Sequence, residues 1–418
     1  MVQNRWVAWA AFVVAVVALL VSGYLSGFGT LPLLGVHEAV FAYTSFTAFV
    51  LVSGVLFARK FVEPSPDPLD ERVTAIVPTY EDAAVLHHSV ESLATADHPV
   101  DVVVVCEPDD PEGRETAEGF AEEYATVEVL VNPRPGSKAG GVNAAVERAD
   151  TDYFGVFDAD QSIRSGFFDE VTGHLRADDV VQARFVPRPD GHVESLAYDE
   201  FTLFGHCFRQ LLYALTGFRM ATSKALVFSR DAIDTVGGYD PEMVSEDYDF
   251  AHRCYLNRVD VKMRYTTVVD EEAAHTLRDW WGQRKRWMTG NTQVLHRLLT
   301  ELPENADDHR YYLSLAVGVM SVGGAAFLVS LVPKALVLIE LGKPHVAVLP
   351  LVAIYLVALG VRLADDRDLG AWFVLTPLVL PFFSLITTKA IAEYCFDFEG
   401  EWFAVEKGAG DGETAKGD

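Results

Sequence analysis

Lysine is scarce in this chain and cysteine is scattered. Only 10 of the 33 basic residues are Lys, against 60 Asp and Glu, and the formal net charge is −27. So acidic a chain lacks the basic footprint that nucleic acid requires. Dense carboxylates with little Lys predict a surface suited to high salt. The four cysteines, Cys106, Cys207, Cys254 and Cys395, lie far apart, which leaves no zinc motif or disulfide framework. Charge itself is missing from five runs near the two ends: Val7–Leu25, Ala39–Ala58, Tyr311–Pro333, Pro344–Val361 and Ala371–Thr388. Each is about long enough to cross a hydrocarbon core of roughly 30 Å as a helix. Five spans are therefore expected, although Pro377 and Pro381 could break the last into a re-entrant or tilted piece. The first run is read as a retained anchor, because its only positive flank is Arg5 and a second run follows closely. No span shows an ionisable pair in the sequence, which argues against a transporter. Arg5, Arg59, Lys60, Arg362 and Arg367 flank the runs so as to place the middle of the chain in the cytoplasm and the C-terminus outside.

Between the apolar ends the composition turns mixed. Glu63-Pro-Ser-Pro-Asp-Pro68 reads as a stiff linker. Val73–Val77, Val100–Cys106, Val127–Val131 and Tyr153–Phe157 then read as buried strands. They alternate with helical stretches over Asp82–Ala96, Pro111–Tyr124 and Ala139–Arg148. This alternation predicts an α/β domain, Rossmann-like, with a mostly parallel sheet and helices on both faces. Ligands in such sheets bind at the carboxyl ends of the strands.

Charged residues collect at those ends. The first strand delivers Pro78-Thr79-Tyr80-Glu81-Asp82, the second Glu107-Pro-Asp109-Asp110, the third Lys138, and the fourth Asp158-Ala-Asp160. On a strand end, side-chain alternation would point Asp158 and Asp160 the same way. Two hard oxygen donors on one side suit Mg2+ or Mn2+, with phosphate oxygens completing the shell. Taken alone, the Asp-x-Asp also fits a surface turn. Farther on, the Gly237-Gly238-Tyr239-Asp240 turn precedes Ser245-Glu246-Asp247. Asp247 fits a general base, or Glu246 and Asp247 fit acids at the start of a helix over Glu246–Leu256 capped by Ser245.

The stretch Trp280-Trp-Gly-Gln283-Arg-Lys-Arg286-Trp287 has helical logic. Gln283, Arg286 and Trp287 stand at i, i+3 and i+4 on one face, with Trp280 on nearly the same side. An amide, a guanidinium and indoles suit a phosphate beside a sugar ring. A helix lying at a membrane surface would also gather Trp and Arg. On a different face from Gln283, Arg286 and Trp287, Trp281 and Lys285 are expected to point towards lipid.

Taken in order, these motifs resemble those of the membrane-bound family 2 glycosyltransferases, the relatives of cellulose, hyaluronan, chitin and poly-N-acetylglucosamine synthases. The likeness runs from about Arg72 to Arg297 and includes the Q-x-x-R-W signature at Gln283–Trp287. It implies a GT-A catalytic domain flanked by transmembrane helices. The expected layout is an N-terminal hairpin of two helices over 1–60 and a linker over 61–71. A cytoplasmic transferase domain over 72–300 ends in interfacial helices. About three helices over 301–395 and an acidic tail over 396–418 complete it. A Trp-containing segment, Gly400–Lys407, resembles a tail of some relatives. The resemblance further implies an inverting transfer from a nucleotide-diphosphate sugar, such as a UDP-sugar, to a growing polysaccharide or a lipid-linked acceptor. Thr79, Tyr80, Glu81, Asp109, Lys138 and Asp158 would bind the donor. Asp158 and Asp160 would hold the metal. Asp247, beside Glu246, would act as base, and Gln283, Arg286 and Trp287 would bind diphosphate and acceptor. Five spans offer little channel for a polymer unless subunits associate, so a homo-oligomer is a possible partner state alongside membrane lipids. Two departures from the family pattern stand out. Asp110 competes with Asp109 after the second strand, and Lys224 stands where small residues are usual, either meeting an acidic acceptor or pairing with a carboxylate.

Overall fold

The computed structural model describes residues 2–28, 32–62 and 66–397. Linker residues 63–65 and the acidic tail beyond 397, with Gly400–Lys407, lie outside the described residues. Two compact units draw on interleaved parts of the chain. Among the described residues, one is built from 2–28, 32–59, 189–217 and 276–397, the other from 60–62, 66–188 and 218–275.

The second unit is organised by one seven-stranded sheet. Its strands are β1 (Val73–Thr79), β2 (Val100–Cys106), β3 (Val127–Val131), β4 (Tyr153–Val156), β5 (Val180–Pro187), β6 (Leu226–Ser229) and β7 (Val261–Glu271). They lie in the order β3-β2-β1-β4-β6-β5-β7. Strands β3, β2, β1 and β4 pair in parallel, as do β5 and β7; β6 alone runs against its neighbours β4 and β5. The mostly parallel α/β sheet expected from the sequence is the one observed. Val73, Ala75, Ile76 and Val77 of β1 are all fully buried, the near-continuous apolar run of a strand covered on both faces.

The crossover helices set up the strand ends. The first begins only at Leu86, later than the expected Asp82, because Glu81 adopts a left-handed backbone (φ 56°) and a turn closes on Asp82. The helix Pro111–Glu123 is capped by Asp110. The helix Lys138–Arg148 starts at Ser137, whose Oγ accepts from the Gly140 N–H at 3.1 Å. A Cβ on Gly141 would stand 2.9 Å from Val105 Cγ1, so glycine there lets this helix press onto β2 and brings Lys138 to the strand ends.

The first unit is helical. Four of its described helices are long and apolar enough to cross a membrane: Glu38–Val62, His309–Glu340, Pro344–Ala364 and Ala371–Phe396. The first charge-free run contributes a shorter apolar helix over Trp6–Ser22. Pro377 does not interrupt the last span; it sits in a 3-10 stretch, Ala371–Leu378, that passes into the α-helix Val379–Phe396. The span from His309 is broken by a π turn at Met320–Gly324 and a 3-10 turn at Leu328–Ser330. Ser384 serves the backbone there, donating to the Ala326 carbonyl at 2.6 Å and accepting from the Val329 N–H at 2.9 Å. Contrary to the sequence expectation, spans do carry ionisable pairs. Lys334 stands 3.5 Å from Glu38 and Lys389 2.7 Å from Glu393, charges in apolar helices that persist because each has an opposite partner.

Candidate active site

In the sheet unit, the chain reverses its winding between β1 and β4, and both strands send loops to their shared carboxyl end. The β1 loop supplies three donor-site candidates. Thr79 is buried and its Oγ1 has no hydrogen-bond partner among the described residues, a polar atom left for a ligand. Tyr80 is exposed, and its hydroxyl pKa is raised by the charge of Glu81 and then of Asp109. Glu81 holds its left-handed backbone because its N–H donates to Asp110 Oδ2 at 2.8 Å.

The same contact distinguishes the two acids after β2. Asp110 is buried and spends its other oxygen on the Gly113 N–H at 3.0 Å. Its work is to cap a helix and fix the Glu81 loop. Asp109 is exposed at the strand end. Glu107 is also structural, accepting from Asn132 Nδ2 at 2.5 Å and from the Gly136 N–H at 2.8 Å.

Asp158 and Asp160 do not lie on a strand. β4 ends at Val156, and the pair sits on a turn closed by the Gln161 N–H on the Asp158 carbonyl at 3.1 Å. Alternation along a strand is therefore not what aims them; separate partners do. Lys138 Nζ donates to Asp158 Oδ1 at 2.6 Å, and Lys224 Nζ lies 3.6 Å from Oδ2. Asp160 is buried, and its Oδ2 accepts from the Glu272 N–H at 3.1 Å. Among the described residues no three His, Cys, Asp or Glu side chains surround one point. Two carboxylates nevertheless fit a hard divalent ion whose remaining oxygens come from a diphosphate and water.

Lys138 ties this turn to the second acidic motif. Its ammonium also donates to the Ser223 carbonyl at 2.8 Å, and Ser223 Oγ donates to Glu246 Oε1 at 2.8 Å. The helix Glu246–Leu256 begins where expected, but Ser245 makes no side-chain cap. Upstream, Asn143 clamps the glycine turn, donating to the Tyr239 carbonyl at 2.8 Å and accepting from the Tyr239 N–H at 2.9 Å. Gly238 (φ 79°) takes a conformation there that a side chain would resist. Glu246 is buried, and burial followed by the charge of Asp247 raises its pKa, with Lys138 opposing. Asp247 is half-buried, its Oδ1 accepting from the Tyr248 N–H at 2.7 Å.

The sequence reading missed the acid opposite Asp158. Glu271 ends β7, buried, with Oε2 3.0 Å from Lys224 Nζ and 3.2 Å from Gln161 Nε2. Burial disfavours the Lys224 charge, but Glu271 and then Asp158 outweigh it and leave its pKa raised. Lys224 thus pairs with carboxylates, the second of its two expected roles. A strand-end rule applied to β7 would have found Glu271.

The Q-x-x-R-W signature lies in the helical unit, on the helix Leu277–Thr300. Its best-held residue is one that the signature leaves open. Arg284 is buried, and its Nε and Nη2 donate to Glu200 Oε2 at 2.8 and 2.6 Å. It also donates to Gln283 Oε1 and stacks 4.5 Å over the Trp287 ring. Glu200 accepts from the Trp280 indole N–H at 3.3 Å. Trp280 is buried, so only Trp287 of the two expected indoles remains partly open. Arg286 is half-buried one turn along. Lys285 does not point to lipid: it stands 2.8 Å from Glu393.

Residues 70–290 match the family described as "Glycosyltransferase like family 2". The chain belongs to this glycosyltransferase family. The transferase is 26% identical over 255 residues to a beta-monoglucosyldiacylglycerol synthase of Trichormus variabilis, covering 57% of this chain and 53% of that one. It is 28% identical over 244 residues to the UDP-forming cellulose synthase catalytic subunit of Komagataeibacter sucrofermentans, covering 55% and 32%. The chain thus spans about half the length of the beta-monoglucosyldiacylglycerol synthase it matches. In fold it is similar to a mannosyltransferase of Pyrobaculum calidifontis solved with GDP-Man and Mn2+, with a TM-score of 0.59 at 17% identity over 87% of this chain and 99% of that one. The expected GT-A architecture is accordingly the observed one.

Proposed function

We propose that this family 2 glycosyltransferase is a membrane enzyme that moves a sugar, with inversion, from a nucleotide-diphosphate sugar such as a UDP-sugar to a growing polysaccharide. The observation that carries the reading is the continuous chain Asp158–Lys138–Ser223–Glu246, which joins the two acidic motifs in one network. Thr79, Tyr80, Glu81 and Asp109 bind the nucleotide. Lys138 meets the diphosphate. Asp158 and Asp160 hold Mg2+ or Mn2+, which when bound neutralises charge on the diphosphate. The mannosyltransferase of similar fold, solved with Mn2+, supports this cofactor.

Asp247, the more open of the two acids, removes the proton from the acceptor hydroxyl. The hydroxyl oxygen forms the new bond to the anomeric carbon as the bond to diphosphate breaks and the diphosphate departs. Buried Glu246, held by Ser223, orients the start of the helix that carries the base. By resemblance of the signature, Gln283, Arg286 and Trp287 bind diphosphate and acceptor sugar. The Arg and Lys bias beside the spans supports a cytoplasmic catalytic domain.

A second reading, addition of one sugar to a lipid-linked acceptor, is supported by the likeness to the beta-monoglucosyldiacylglycerol synthase, 26% identical over 255 residues. Membranes carrying the enzyme, given a panel of radiolabelled nucleotide sugars with Mn2+ or chelator, separate the two. A ladder of products supports polymer extension, one product band the lipid acceptor, and no incorporation from any donor sinks both. Asp247→Asn should lower incorporation by about 10²–10⁴ with an unchanged melting curve. Near-normal turnover would remove Asp247 as the base.

A further inference from the structure

Lys224 is held in place more firmly than an ordinary loop lysine. The next residue, Ala225, takes a left-handed backbone (φ 48°), a strained conformation that persists only where its surroundings enforce it. Buried Gln182 enforces it. Its Nε2 donates to the carbonyls of Lys224 at 2.9 Å and Ala225 at 3.2 Å, while its Oε1 accepts from the Thr222 N–H at 2.6 Å. The Ala183 N–H adds a bond to the Ala225 carbonyl at 2.9 Å. The result is an ammonium aimed between two carboxylates, 3.0 Å from Glu271 and 3.6 Å from Asp158, with the Phe185 ring beneath it at 4.8 Å. Only a small shift separates a position on Glu271 from one on Asp158.

We propose that Lys224 is a built-in competitor for the divalent-ion position at Asp158, and that Glu271 is the carboxylate on which it is parked when the ion is bound. The inference rests on the reading that Asp158 and Asp160 hold that ion. An ammonium and a divalent cation cannot both sit against one carboxylate oxygen, because like charges at contact distance repel strongly in a partly buried site. Glu271 offers Lys224 an alternative anion, so the ion can enter without leaving a buried charge unpaired. The arrangement lowers the site's affinity for free metal and spares an empty site the repulsion of adjacent carboxylates.

The test is Mn2+ binding to the full-length, detergent-solubilised protein, followed by electron paramagnetic resonance with Mn2+ alone. Lys224→Met should tighten Mn2+ binding by about tenfold, since one tenfold step corresponds to about 1.4 kcal/mol, and Lys224→Arg should stay near wild type. The variant carrying both Lys224→Met and Glu271→Gln removes one charge of each sign and leaves no buried charge unpaired, which guards against a folding failure. Bulk electrostatics predicts no change for it; competition at Asp158 predicts tighter binding than wild type. Unchanged or weaker binding in this double variant overturns the proposal. Asp158→Asn distinguishes the two levels. If it leaves Mn2+ binding intact, the metal assignment itself has failed. If it abolishes binding while removal of Lys224 does not tighten it, the metal assignment stands and the competitor role is refuted.

Discussion

At the scale of single residues, the sheet unit keeps the His252 imidazole out of water. His252 is buried on the helix behind Glu246 and Asp247, with ring centroids of Phe218 and Tyr248 each 4.6 Å away. Burial lowers its pKa from the usual 6.5 to about 3. The unfolded chain therefore takes up this proton below about pH 6.5, whereas the folded protein does so only near pH 3. The stability that this depressed pKa contributes is fully present above pH 6.5. It should be lost on acidification at about 1.4 kcal/mol per pH unit down to about pH 3. Melting temperatures measured from pH 7.5 to 4 should show a flatter acid limb for His252→Phe than for wild type; parallel curves would refute the assignment. Other single residues were visible as types but not as roles. Asp109 and Asp110 are adjacent acids after a strand, and only the Gly113 and Glu81 N–H groups show which of them is consumed structurally.

At the scale of elements, the helix His192–Phe201 does more than the sequence suggests. Two adjacent acids on it each hold a buried arginine from a different helix. Asp199 takes Arg362 at 2.6 Å, and Glu200 takes Arg284 at 2.6 Å. Glu200→Ala would strand the Arg284 guanidinium, a loss of about 3–5 kcal/mol for a buried pair broken on one side, read as a large drop in melting temperature. Arg286→Ala should do the opposite: little change in melting, and transfer lower by about 10²–10³, the usual loss for one charge-stabilising donor. Lys285→Ala, which gives up only the pair with Glu393, should keep most transfer. Equal losses at Arg286 and Lys285 would refute the assignment of the signature face. The first four strands were legible because each is a short β-branched or aromatic run closed by a turn. Strands β5 to β7 were not, because β6 has four residues and runs against its neighbours, while Gln182 and Arg184 in β5 and Lys262 and Arg264 in β7 interrupt the apolar runs.

At the scale of the whole molecule, a net charge of −27 is a self-repulsion that salt relieves. The screening length falls from about 8 Å at 0.15 M to about 3 Å at 1 M. Raising KCl from 0.15 to 2 M should therefore raise the melting temperature, by about 2–4 °C for each kcal/mol of repulsion removed. A protein most stable in dilute buffer would contradict that. The apolar ends were equally legible, since a run of about 20 uncharged residues has few uses other than crossing a bilayer. Exposed Val55, Leu336, Leu356 and Val374 on the candidate spans fit contact with lipid.

The sequence by itself determined the family, the parallel α/β core, the apolar ends and the acidic residues that follow β1, β2 and β4. These are local properties, set by the period of apolar residues and the residues that end each run. The tertiary structure alone decided which charges face one another. Lys138 reaches Asp158 and Ser223 across 20 and 85 positions, Lys224 reaches Glu271 across 47, and Arg284 reaches Glu200 across 84. No periodicity encodes such distances, because an ion pair depends on where the fold brings two side chains and not on the residues beside either.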